Sequence, residues 1–322
     1  MSGEYAIGID LGATNVRVGV GDNKGHILKR LSEKTDKQHG PEGISAQLIR
    51  MIRLLLKEIE PKIRGIGIGS IGPLDLRKGA ITESPNIPFN FVPLTEPIRS
   101  EFGAPLTLLN DCNAAVVGER EFGAGRGVDN VAYITLSTGI GGGVYVDGHL
   151  LRGKDGNAAE VGHMVIDFEG RLECGCGKRG HWEAYCSGEN IPNYVRMLLK
   201  ERTVKNSSLM KLAGGDPQRI TAKILYEAAR NGDTLSLGIV DSIGRLNAAG
   251  FANVINAYDP SIITVGGTLA LKHEDLIIKP IKRYVDDYAI NRVPEIRITP
   301  LGEDAVLLGA IAVVYKQNQS FV

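Results

Sequence analysis

The sequence predicts a two-domain α/β fold with duplicated mixed β-sheet units and an interdomain cleft. Three observations carry that prediction. Apolar runs of strand length alternate with helix-patterned segments along the chain, the arrangement of sheets with helices on their faces. A strand, a polar Gly/Thr turn and a second strand open the chain at residues 5–20 and return at residues 131–146, so one unit occurs twice. Glycine is the compositional outlier at 41 of 322 residues. That is about 13%, against an average of roughly 7%, and with no collagen period it must serve turns and close backbone approaches.

The elements follow in order. Tyr5–Ile9 reads as a strand, Asp10–Asn15 as a turn and Val16–Val20 as a second strand. Asp22-Asn23-Lys24-Gly25 then turns into a third strand near His26–Leu31, which makes a β-meander. Helices are expected near Gly43–Glu58, Thr95–Phe102 and Asn113–Phe122, with strands near Gly65–Ser70 and Leu106–Leu109. The second meander runs through Val131–Leu136, a turn at Ser137–Gly143, and Val144–Val146. After it come helices near Glu189–Arg202, Thr221–Asn231 and Leu235–Ala257, a buried-type strand at Ile262–Val265 and a helix near Glu274–Tyr288. A strand at Glu295–Thr299 and a helix from Asp304 close the chain. No Pro/Ser-rich tether separates these segments, so the boundary is expected in a hinge at Asn110–Asn113. Residues 1–111, completed by the terminal helix 304–322, form the smaller domain. Residues 112–303 form the larger one, with a Cys/His loop inserted at 163–186.

Composition narrows the function. Lys+Arg and Asp+Glu both number 37, so no net basic field points to nucleic acid or an anionic membrane. The uncharged stretch Val131–Val146 spans 16 residues and contains four glycines, too short and too glycine-rich for a transmembrane helix. An acid at Glu4 stands where a signal peptide would be basic, and the chain is expected in the cytoplasm. Four cysteines, Cys112, Cys174, Cys176 and Cys186, are too few for a disulfide scaffold of this length.

Several clusters carry chemistry. In Asp10-Leu11-Gly12-Ala13-Thr14-Asn15, Gly12 allows a tight turn whose N–H groups, with the Thr14 hydroxyl, suit phosphate oxygens, and Asp10 suits Mg²⁺ held through water. An ordinary hairpin also needs Gly and Asp for geometry. Recurrence of the turn at Ser137–Gly143, with Thr138 and Gly139 at its centre, favours a clamp on a polyphosphate. Neither turn is a Walker A loop or a dinucleotide fingerprint, because neither has the required strand-to-helix spacing. Gly266-Gly267 follows an apolar strand and is either a bare-backbone platform for adenine or a helix-entry turn. Asn110-Asp111 sits between a strand and a helix, where Asp111 serves either as a general base toward a hydroxyl or as an N-cap. His163, Cys174, Cys176 and His181 make a two-Cys, two-His set suited to structural Zn²⁺, the alternative being two free thiols in a Gly-rich loop. Cys186 is near enough in sequence to replace one ligand, and Cys112 reads as a buried small side chain.

Taken in order, several segments resemble the ROK family (repressors, uncharacterised reading frames and sugar kinases) of the actin/hexokinase-like superfamily, with its ribonuclease H-like fold. They are Asp10–Asn15, Gly67-Ile68-Gly69-Ser70-Ile71-Gly72-Pro73, Ser84-Pro85-Asn86-Ile87-Pro88, Asn110-Asp111, Leu136–Gly143, Glu160-Val161-Gly162-His163, the Cys174–Glu183 block and Leu301–Ala305 with Leu308-Gly309-Ala310. The resemblance covers essentially the whole chain. It implies that Asp111 is the catalytic base acting on a sugar hydroxyl, that Asn110, Glu160, His163 and Glu183 bind the other hydroxyls, and that Asn86 and Gly72 are further contacts. Asp10, Gly12, Thr14, Asn15, Thr138, Gly139, Gly266 and Gly267 would hold ATP with Mg²⁺. His163 would place one ring nitrogen on zinc and offer its other side to the sugar. Two departures stand out: His181 occupies the place of the family's usual third cysteine, and Asn15 stands where many members have lysine.

The implied activity is ATP-dependent phosphorylation of a hexose, glucose first, giving glucose 6-phosphate, with a broad-specificity hexokinase as the wider form. N-acetylmannosamine and N-acetylglucosamine kinases share the same residue pattern. A sugar-sensing ROK repressor would place a helix-turn-helix domain ahead of the first turn, where nine residues precede Asp10 here. The expected partners are a hexose and ATP, with no nucleic acid and no membrane, and the family implies a homodimer or higher homo-oligomer.

Overall fold

The computed structural model describes residues 4–59, 62–200 and 207–316. The expected helix end at Glu201-Arg202 and the segment 317–322 lie outside the described residues. The chain packs as two units. One holds the chain up to Tyr133, Gly143–Ala159 and the chain from Thr299 onward; the other holds Ile134–Gly142 and Glu160–Ile298.

The opening meander is β1 (Tyr5–Leu11), β2 (Asn15–Gly21) and β3 (Ile27–Lys34), followed by α1 (Pro41–Ile59) and β4 (Ile63–Ser70). Three short strands come next, β5 (Leu74–Asp75), β6 (Ala80–Thr82) and β7 (Phe91–Pro93). Then come α2 (Thr95–Phe102), β8 (Leu106–Asn110) and α3 (Asp111–Phe122). The first sheet has the order β3-β2-β1-β4-β8. β2 runs antiparallel to both β1 and β3, while β4 runs parallel to β1 and β8. β1 and β2 are mostly buried, whereas β3 at the sheet edge is half-buried or exposed throughout. Its Lys29, Arg30 and Lys34 are the charged residues that keep an edge strand from pairing with another chain.

The second meander comprises β9 (Val131–Leu136), β10 (Ile140–Val146) and β11 (His149–Leu150). After it come α4 (Glu183–Cys186), α5 (Ile191–Lys200), α6 (Ser208–Leu212), α7 (Ala222–Arg230) and α8 (Thr234–Tyr258). The chain finishes with β12 (Ile262–Gly266), α9 (Thr268–Lys272), α10 (Glu274–Tyr284), β13 (Glu295–Ile298) and α11 (Ala305–Lys316). The second sheet has the order β11-β10-β9-β12-β13, the same path as the first, so the duplicated motif is a duplicated sheet. Asp233 caps the 25-residue α8 by accepting from the Ser236 N–H at 2.9 Å.

Differences from the sequence reading have local causes. The expected turn at Ser137–Gly143 shrinks, and β10 begins at Ile140. Gly141, Gly142 and Gly143 are strand residues, and a Cβ on Gly143 would lie 2.1 Å from the Cys112 carbonyl oxygen. The small β5-β6-β7 sheet was not anticipated, because strands of two or three residues leave no periodicity to read. The sequence began the larger domain at residue 112, yet α3 packs with the first unit.

The reason is α11. Its residues Leu307–Val314 are all buried, and it lies against β1, β4 and α3. It has no polar face because every side is covered by protein. Close approach to α3 requires Gly309, since a Cβ there would sit 1.6 Å from the Ala114 carbonyl oxygen. Among the described residues, no helix is long and apolar enough to cross a membrane. Gly309→Ala is expected to destabilise the protein by at least about 1–3 kcal/mol through overpacking. The measurement is the urea midpoint at unchanged m-value, and an unshifted midpoint would contradict this helix contact.

Candidate active site

In the first unit, Asp10 lies on β1 directly opposite Arg17 on β2. The turn between the strands is closed by the Gly12 N–H donating to the Asn15 carbonyl at 3.0 Å. It is braced from β3 by Thr35, whose hydroxyl donates to the Gly12 carbonyl at 2.7 Å and whose N–H donates to the Thr14 carbonyl at 3.1 Å. Thr14 and Asn15 are exposed, which leaves the turn open to a ligand. Arg17 Nη1 lies 3.3 Å from Asp10 Oδ2 and donates to the Glu303 carbonyl at 2.8 Å, while Nη2 bonds the Glu303 carboxylate at 3.0 Å.

Asp10 is unusual electrostatically. Burial pushes its pKa up to about 7, with the nearby Asp111 and Asp304 charges adding to the rise and Arg17 opposing it. Asp111 is likewise raised by burial, opposed by its hydrogen bonds with Cys112. It is the first residue of α3, whose N-cap is Asn110. The Asn110 side chain accepts from the Cys112 N–H at 2.9 Å, and Asp111 Oδ1 accepts from the same group at 2.7 Å. The capping role suggested for Asp111 therefore belongs chiefly to Asn110, so the second Asp111 oxygen is not needed for the cap. Gly72 is brought beside Asn110: a Cβ on Gly72 would lie 3.4 Å from Asn110 Nδ2 and 3.7 Å from Asn157 Oδ1. Asn86 is exposed, and its carbonyl accepts from Lys37 Nζ at 2.8 Å. Among the described residues, no hydrogen bond joins it to Asn110 or Asp111.

In the second unit, the Cys/His loop and the second glycine turn meet at Glu183. Its Oε2 accepts from the Ile140 N–H at 2.8 Å, and a Cβ on Gly139 would come within 2.6 Å of that oxygen. Thr138 adjoins this turn, its carbonyl accepting from the Glu189 N–H at 3.2 Å. Trp182 fixes the start of α4. Its indole is fully buried, bonds Asn247 Oδ1 at 2.9 Å and packs where α8 has Gly250. Glu160 precedes a single 3₁₀ turn, Val161–His163. Gly267, which follows Gly266 at the end of β12, has φ +89° and opens α9, and a Cβ there would lie 2.4 Å from the Leu136 carbonyl oxygen. Only glycine combines that backbone with that approach.

The ligand-type atoms of His163, Cys174, Cys176 and His181 all lie within 4.8 Å of one another. His163 Nδ1 is 3.2 Å from His181 Nδ1, Cys174 Sγ is 3.7 Å from His163 Nδ1, and Cys176 Sγ is 3.3 Å from His181 Nδ1. Zinc bond lengths of about 2.0–2.1 Å to nitrogen and about 2.3 Å to sulfur give tetrahedron edges of roughly 3.3–3.8 Å, so the four residues fit that ion. Cys186 is outside the group, buried with its Sγ 3.8 Å from the Ile243 carbonyl. With Nδ1 turned into the cluster, His163 carries Nε2 on the opposite edge of its ring.

Sequence reasoning missed Arg17, Glu303, Thr35 and Asn157. Arg17 had a usable signal, since a tight turn after Asp10 sets a hairpin register that pairs the two positions. Asn157 had none: it joins the Gly72 region by paired hydrogen bonds of 2.9 Å to the Leu74 backbone, 83 residues away.

The chain is similar to known proteins over nearly its whole length. The family model for the ROK family matches residues 6–317. The chain is 38% identical over 319 residues to a glucokinase of Pyrobaculum calidifontis, covering 98% of this chain and 96% of that one. It is also 38% identical to a glucokinase of Thermotoga maritima, with 96% of each chain covered. A ROK family glucokinase from Streptomyces griseus, solved in complex with glucose and AMPPNP, superposes with a TM-score of 0.80 at 32% identity, over 97% of this chain and 99% of that one. The chain belongs to the ROK family.

The Asp10 environment makes a prediction about pH. Between its ordinary 3.8 and about 7, folded Asp10 keeps a proton that unfolded Asp10 has lost. Its contribution to stability is therefore present below pH 4 and is lost as pH rises through about 7. Asp10→Asn removes that titration, so the melting temperature of the ligand-free variant relative to wild type is expected to be higher at pH 8 than at pH 5. An offset independent of pH would refute the raised pKa.

Proposed function

We propose that the protein is an ATP-dependent hexose kinase of the glucokinase type, transferring the γ-phosphoryl group of ATP to the C6 hydroxyl of glucose. The full-length similarity to glucokinases carries this reading. Asp111 takes the hydroxyl proton as O6 forms its bond to the γ-phosphorus; the bond to the β-phosphate oxygen breaks, and ADP leaves. The rise of the Asp111 pKa through burial supports that assignment, because a carboxylate of higher pKa is a stronger base.

Asn110, Glu160, His163 and Glu183 orient the remaining hydroxyls, with Gly72 and Asn86 as further contacts. A carboxylate accepts two hydrogen bonds from neighbouring hydroxyls, which suits Glu160 and Glu183 to the task. The two glycine turns, through Gly12, Thr14 and Asn15 and through Thr138 and Gly139, take the donor phosphates, and Gly266-Gly267 takes the adenine end. Magnesium arriving with ATP supplies positive charge at the phosphates, and Asp10 is the residue that would hold it. Zinc, on His163, Cys174, Cys176 and His181, supplies a rigid support, so that these residues hold the sugar-facing loop without entering the chemistry.

The test is ADP release from Mg²⁺·ATP against glucose, mannose, fructose, glucosamine, N-acetylglucosamine and N-acetylmannosamine, with a sugar-free control. Strong turnover on glucose is expected, and turnover confined to an N-acetyl sugar would overturn the substrate. Asp111→Ala is expected to lower kcat by about 10²–10⁴-fold, the usual contribution of a general base, with glucose binding retained in calorimetry. Near-normal turnover would remove Asp111 from the mechanism. Elemental analysis of purified protein is expected to find zinc in equal number to chains, and Cys174→Ala is expected to lose it. Active wild-type protein free of metal would sink the zinc assignment.

A further inference from the structure

The first unit contains a cavity of about 790 Å³, within the size range of small-molecule sites. Thr14 of the first glycine turn, Lys34 at the end of β3, Lys37 and Gln38 of the following loop, and Ala46 and Arg50 of α1 line it. Its carboxylates are already matched. Glu33 accepts from both Arg50 amino groups and from Gln47, and Asp36 accepts from the Gln38 and His39 N–H groups and lies 2.8 Å from the His39 ring nitrogen. Both acids are held below the usual carboxylate range, Glu33 chiefly by Arg50 and Asp36 chiefly by the Gln38 N–H.

The lysines are not matched. Lys37 Nζ donates to a carbonyl, that of Asn86, at 2.8 Å, and among the described residues neither Lys34 nor Lys37 forms an ion pair. Two lysines whose ammonium groups have no carboxylate partner therefore line the cavity, with Thr14 and Gln38 in the same wall. Ammonium groups of this kind bind phosphate oxygens through charge-assisted hydrogen bonds, and the neutral groups suit hydroxyls.

We propose that this cavity is a second ligand site, taking a phosphomonoester of a small polyhydroxylated molecule with Lys34 and Lys37 on the phosphate. That the enzyme's own sugar phosphate is such a ligand rests on the kinase reading. The site is linked to the donor turn through Thr35, which bonds the Gly12 and Thr14 carbonyls.

The experiment is calorimetric titration of the full chain with glucose 6-phosphate and, separately, with inorganic phosphate. Glucose 6-phosphate is expected to bind, and inorganic phosphate to bind more weakly. The double variant Lys34→Ala/Lys37→Ala is expected to weaken binding at least tenfold. Ala46→Phe, which fills the cavity and keeps both lysines, is expected to do the same, with melting curves confirming that each variant is folded. Absence of binding overturns the proposal. So does binding untouched by both changes, which places the ligand elsewhere, or binding weakened by the lysine changes alone, which reduces it to surface charge. Equal affinity for inorganic phosphate overturns the polyhydroxylated part. The titration needs no turnover, so its failure leaves the sugar panel standing, and a negative sugar panel leaves the titration standing.

Discussion

Close packing of the last helix is the constraint on which the first unit depends. α11 is almost entirely apolar and buried against β1, β4 and α3. Its backbone approaches α3 so closely at Gly309 that no side chain fits. That contact fixes three chain ends at once: the end of β1, which carries Asp10; the end of β8, which carries Asn110; and the start of α3, which carries Asp111. A segment more than 180 residues from these ends thus holds them in place. Dense interiors transmit such constraints because they have no slack in which a misplaced helix could be absorbed.

The price of this burial appears in the charges. Two carboxylates, Asp10 and Asp111, are partly buried, and both are raised by that burial. Arg17 offsets part of the cost at Asp10 and is itself anchored by the Glu303 carbonyl and carboxylate. The second unit solves a different problem, that of ordering a glycine-rich loop with few apolar residues. It does so with a cluster of two histidines and two cysteines on one side and a buried tryptophan on the other. Glu183 stands between them, next to Trp182 in sequence and tied to the second glycine turn by the Ile140 N–H.

Much of this was legible from residues alone. Strand–turn–strand patterning located β1, β2 and β9 to within a residue or two, and the repeated glycine turn announced two sheets that share one strand order. The Cys/His cluster was readable because only a few side chains bind zinc and four of them fall within 19 residues. Less legible was the extent of β10, where Gly141–Gly143 looked like turn residues. They are strand residues, and at Gly143 the Cys112 backbone passes so close that no side chain fits.

The sequence by itself determined the fold class, the duplication, the identity of the metal-type cluster and the family, because these are written in local periodicity and in residue types at fixed spacing. Only the tertiary structure decided that Asn110 rather than Asp111 is the principal cap of α3 and that Cys186 stands apart from the ligand cluster. The same holds for the packing of α3 with the first unit, the bonding of Asn157 to Leu74 and the pairing of Lys37 with a carbonyl instead of an acid. Each of these depends on atoms brought together from distant positions, and distance in space between such positions is set by packing, which no local pattern encodes.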